Sequence, residues 1–179
     1  MITLTEALAE LKLIKSKIDK KRTFILQNLG RQEGAKDQLE KNGGTDKVLA
    51  SEMQAVNDLM ERLVRIRSAI ASANASTTVD ILGVKRTIAD WLVWRRDVAP
   101  LIKDFERHIL SGINGLKQNA KNSGFRVVNA AGEASVPTDV IICLDEKGLS
   151  ETSERIQEIL DTLDGKLSLH NATVQIEAA

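Results

Sequence analysis

Residues 46–73 read DKVLASEMQAVNDLMERLVRIRSAIASA. Leu49, Val56, Leu63 and Ile70 recur at sevens, with Leu59, Ile66 and Ala73 between them. A strand repeats every two residues and cannot produce this spacing. A helix that buries one seam produces it directly. Met53 and Met60 broaden the apolar stripe and read as packing residues. A helix of this length extends about 42 Å at 1.5 Å per residue.

Upstream, Thr3-Leu4-Thr5-Glu6 is a capping box that opens another helix. Its stripe is Leu4, Leu8, Leu11, Ile14, Ile18, Ile25 and Leu29, and Gly30 is a stop signal. The polar stretch 31–46 reads as a flexible loop. Downstream, residues 74–78 form a polar break. A third helical face follows, with Ile81, Val84, Ile88, Trp91, Val98, Ile102, Phe105, Ile109 and Leu116. Thr87 to Asp90 is a second capping-box spacing, which moves the firm start of that helix to about 87. Pro100 removes a backbone donor and crowds the preceding turn, so a kink or break is expected close to Ala99.

After Gly124 the pattern changes. Phe125–Val128 is short and β-prone, Ala130–Glu133 reads as a turn, and Asp139–Leu144 is an apolar run of strand length. Ser150 can cap a helix running through Leu163, with Gly165 as its stop. Ala172–Glu177 alternates like a half-buried strand. The expected fold is α+β and mostly α: a long antiparallel helical hairpin or bundle, then a small C-terminal β-β-α-β unit. The expected domains are 1–124 and 125–179. The second is near the lower size limit for independent folding.

Composition narrows the function. Of 179 residues, 25 are basic and 25 acidic, which excludes a global basic field. Residues 1–124 carry 21 basic and 15 acidic residues, whereas 125–179 carry 4 and 10. Aromatics are 3% with no Tyr, too few for a ring-lined pocket or a base-stacking platform. One Cys and two separated His leave no disulfide framework and no zinc cluster. No metal or cofactor is expected. Neither a membrane span nor a signal peptide is visible, so synthesis in the cytoplasm is expected.

Trp91, Trp94, Arg95, Arg96 and Asp97 are the densest feature. Trp and Arg dominate interface hot spots, yet Trp91 falls on the helix seam and Asp97 can pair with a neighbouring Arg. Lys12, Lys15, Lys17, Lys20, Lys21 and Arg22 make the first helix basic. Glu6, Glu10 and Asp19 dilute the run, and a solvated face is its expected reading. Asp104 and His108 have the spacing of a helical ion pair. Cys143 reads as a buried small hydrophobe. No nucleophile elbow is present, and Gly43-Gly44-Thr45-Asp46-Lys47 lacks the phosphate-loop order. The expected interface residues are Leu49, Val56, Leu63, Ile66, Ile70, Trp91, Trp94, Arg95 and Arg96.

The first 110 or so residues resemble the small helical septicolysin-like proteins. The resemblance rests on Leu4-Thr5-Glu6-Ala7-Leu8, on Arg65-Ile66-Arg67 leading to Asn74 and Thr77, on Thr87-Ile88-Ala89-Asp90-Trp91-Leu92 and on Arg95-Arg96-Asp97. That family name implies a cytolysin, but no segment here has the character of a membrane-inserting amphipathic span. The make-up is also similar to small accessory proteins of bacteriophage structural gene sets, which implies a virion component and no catalysis. Stripes this long are most simply buried by copies of the same chain. The expected function is therefore a non-enzymatic, homo-oligomeric structural protein, such as a capsid accessory, decoration or neck component of a virion. Its expected partners are itself and another structural protein, with no membrane and no nucleic acid. Two alternatives stay open: an adaptor that binds a helical partner, and a nucleic-acid-associated protein using the basic first helix.

Overall fold

A computed structural model describes residues 1–32, 34–129 and 137–177. The fold is α+β and mostly α, with four long helices and a few small strands. It divides into two compact units, residues 1–77 with 167–179, and residues 78–166. This division differs from the expected one at 124/125.

In the first unit, strand β1 (Ile2–Thr3) leads into helix α1 (Leu4–Gln27). The capping box is formed as expected: Thr3 Oγ1 accepts from the Glu6 amide at 3.2 Å, and Glu6 Oε2 accepts from the Thr3 amide at 2.8 Å. Within the expected loop, residues 37–45 are tied together by one side chain. Asp37 accepts from the Leu39 amide at 2.8 Å, the Thr45 amide at 2.9 Å and the Thr45 hydroxyl at 2.7 Å. Those bonds, led by the Thr45 hydroxyl, hold the Asp37 carboxyl down at about 2. They also cap helix α2 (Thr45–Ser76) from a distance, because its own N-cap, Gly44, has no side chain to do so.

The core of this unit is Leu4, Ala7, Leu11 and Ile14 of α1 against Ile66 of α2, with Leu59, Leu63 and Ile70 packed around them. Two ion pairs, Lys21–Glu52 and Arg62–Glu10, each at 2.6 Å, cross between α1 and α2. Strand β6 (Gln175–Ile176) pairs antiparallel with β1, Ile2 opposite Ile176. Residues 175–176 thus pack on residues 2–3 of the same chain. Strand β6 is shorter than the expected Ala172–Glu177, since Ala172 and Thr173 are helical.

In the second unit, residues 78–87 form a hairpin where a helical face was expected. Strand β2 (Thr78–Ile81) pairs antiparallel with β3 (Val84–Thr87). The β-branched residues on both strands favour the pleat. The two-residue turn, Leu82 and Gly83, has φ of 51° and 81°, both left-handed, as a type I′ turn needs. Thr87 then caps helix α3 (Ile88–Val93) through Asp90, at the start expected from the second capping box.

The interruption expected near Ala99 takes the form of a wide π turn at Trp94–Val98. The Ala99 amide reaches back five residues to the Trp94 carbonyl. Pro100 has no amide to give and sits in the first turn of helix α4 (Ala99–Asn122), where the ring is tolerated. The π turn inserts one residue into the helical register. The inward series therefore runs Trp91, Ala99, Glu106, Ile113 and Ala120, all buried. Of the expected inward series, Val98, Phe105 and Leu116 lie exposed while Ile102 and Ile109 are half-buried, since the register is rotated by about 100°.

Strands β4 (Val127–Asn129) and β5 (Val140–Ile142) pair in parallel. Cys143 follows β5 and is exposed, not buried as expected. Helix α5 (Glu146–Thr173) begins before Ser150, because Asp145 accepts from the Lys147 amide at 3.0 Å. It also runs straight through Gly165, the expected stop. The expected turn at Ala130–Glu133 lies outside the described residues.

Candidate interaction surfaces

Among the described residues, no three His, Cys, Asp or Glu side chains cluster to hold a metal, and no helix is long and apolar enough to cross a membrane. Two surfaces stand out instead, one in each unit.

The first is the exposed apolar stripe that the π turn creates. Leu101 is 70% exposed, Phe105 64% and Leu116 52%, with Val98 on the same flank of α4. They recur at steps of four and, across Ile109 and Gly112, of eleven, which is one helical face. Beside Val98, a hollow of 380 Å³ is lined by Arg86, Asp90, Val93 and Trp94. Trp94 is half-buried and meets Trp91 edge-on, ring centroids 5.6 Å apart at 85°. Trp91 itself is 2% exposed, with the Arg86 guanidinium 5.1 Å over its ring and its Nε1 donating to the Val79 carbonyl at 3.4 Å. Trp91 is thus held within the fold and not presented to a partner. Arg95 pairs with Asp164 at 2.6 Å, and Arg96 grips Asp97 through two bonds of 2.8 and 2.7 Å. That grip lowers the Asp97 carboxyl below its ordinary range. Of the expected tryptophan–arginine cluster, Trp94, Arg95 and Arg96 reach the surface.

The second surface is a groove of 690 Å³ between α1 and α2. Lys17, Lys20 and Lys21 line one side, and Asp58, Arg62 and Arg65 the other. Ala55 and Leu59 form an apolar floor. Lys21 and Arg62 are committed to the cross-helix pairs with Glu52 and Glu10. Lys17, Lys20 and Arg65 are exposed, and no carboxylate of the described residues lies within ion-pair distance of them. The sequence shows the lysines as one run on α1. It does not show that two arginines of α2, more than forty residues away, complete the opposite wall.

The expected seam residues of α2 differ in burial. Ile66 is wholly buried against α1, while Leu49, Val56, Leu63 and Ile70 are half-buried. Ile66, Leu63 and Ile70 belong to the core of their own unit. Met53 and Met60, expected as packing residues, are by contrast half exposed, and Val64 is exposed beside them. The predicted ion pair of His108 with Asp104 is present at 3.3 Å on the surface. No protein family, curated protein or solved structure matches the chain. The septicolysin-like resemblance rests on its residue pattern alone.

Proposed function

We propose that the protein is a non-catalytic structural or assembly component that associates with copies of itself through the apolar stripe of α4. The observation that carries this reading is surface. Leu101, Phe105 and Leu116 stand 70%, 64% and 52% exposed along one face of α4, large apolar side chains left facing water within their own unit. Met53, Met60 and Val64 of α2 are exposed as well. A second copy is the occupant whose supply is guaranteed, and an exposed helical face pairs with its own copy across a two-fold axis. The virion setting implied by the phage resemblance is kept within this proposal.

The test is the solution mass of the full chain across a concentration series, with Leu101→Asp/Phe105→Asp beside it. An oligomer is expected for the natural sequence. The double variant is expected to be a monomer of unchanged helicity, since both side chains are solvent-facing within the chain. A wild-type monomer at every concentration, or a variant of unchanged oligomeric mass, overturns the assignment.

A further inference from the structure

The groove between α1 and α2 carries a second inference, independent of self-association. Five cations line it against one carboxylate, Asp58, which itself accepts a hydrogen bond from Gln54 at 2.8 Å. The cross-helix pairs neutralise Lys21 and Arg62 and at the same time pin them in place. Lys17, Lys20 and Arg65 are left with their charge facing water. Every lining residue lies inside a helix, where the backbone amides are already bonded, so only side chains can meet a ligand. That removes the helix-end or amide-nest grip that usually holds a single phosphate. Two facing rows of long cationic side chains suit an extended anion with charge repeated along its length. No aromatic ring lines the groove, so bases have nothing to stack on.

We propose that this groove binds the sugar–phosphate backbone of nucleic acid without reading its sequence. Lys17, Lys20 and Arg65 supply the phosphate contacts. Ala55 and Leu59 accept the apolar edges of the sugars.

The experiment is fluorescence anisotropy of the full-length protein with labelled oligo-dT of about 20 nucleotides over a salt series. Binding near 10⁻⁵ M is expected at about 50 mM salt, weakening with a log–log slope of about −2. The triple variant Lys17→Glu, Lys20→Glu, Arg65→Glu is expected to lose at least about tenfold and to flatten that slope. All three positions are exposed, so circular dichroism should be unchanged. A control with the same charge change, Lys12→Glu, Lys15→Glu, Arg67→Glu, alters exposed positions that do not line the groove and is expected to keep most of the binding. No binding at low salt overturns the proposal. So does equal loss in both triple variants, or displacement of the oligonucleotide by polyglutamate at matched charge, which would mark a site for acidic polypeptides.

Discussion

His170 and Glu106 are buried, at 5% and 4% exposure. His170 is satisfied: a ring nitrogen lies 3.1 Å from Asn74 Oδ1. Burial lowers its pKa from the ordinary 6.5, so the folded chain favours the neutral ring. The unfolded chain therefore binds the extra proton first. The His170 contribution is complete above about pH 6.5 and declines as pH falls from there toward the lower folded value. Thermal melting is expected to drop between pH 7.5 and 5 more for the natural sequence than for His170→Gln. Equal drops would place the acid sensitivity elsewhere. Glu106 differs, since its buried Oε2 has no hydrogen-bond partner among the described residues. A buried acceptor left unmet costs about 1–3 kcal/mol, so Glu106→Leu is expected to raise stability by an amount of that order in urea unfolding. A loss would mean the carboxylate has a stabilising partner. The chain carries glutamate on the inward face because the π turn brings position 106, and not Phe105, to that face.

Elements show where local signals won and where they lost. Both capping boxes work because their bonds lie within four consecutive residues. The stop signal at Gly165 fails because Leu163 before it and His170 after it are both buried, at seven-residue spacing. Their burial outweighs the roughly 1 kcal/mol that glycine costs inside a helix. Gly165→Ala is therefore expected to stabilise α5 by about 0.5–1 kcal/mol, as nothing lies within 4 Å of the added methyl. A destabilised variant would show that the close approach of another chain requires glycine there. The hairpin at 78–87 is hard to read from sequence because its signal, Leu82-Gly83, has a leucine at a position where asparagine or glycine normally announces the turn. Its apolar residues also fit a heptad face, so periodicity alone pointed to helix.

At the scale of the whole molecule, the chain closes on itself at one place and leaves faces open at others. Leu4 donates its amide to the Val174 carbonyl at 3.0 Å, and the Thr5 hydroxyl donates to the Asn171 carbonyl at 2.9 Å. These bonds bring residues 167–179 into the first unit, away from the tail with which the sequence grouped them. The open faces are the α4 stripe and the basic groove. Apolar packing is insensitive to salt, whereas phosphate binding falls steeply with it. Self-association through α4 should thus persist at salt concentrations that abolish binding of the oligonucleotide.

By itself the sequence determined the helical class, the starts of α1 and α3, the heptad seam of α2 and the absence of a disulfide framework. Each of these depends on spacing within one segment or on a count of residues. Only the tertiary structure decided which face of α4 turns inward, because one residue inserted at the π turn rotates every later position. It also decided that β6 pairs with β1 across the length of the chain and that Arg62 and Arg65 stand opposite the α1 lysines. These depend on contacts between distant segments, for which no periodicity within a segment carries a signal.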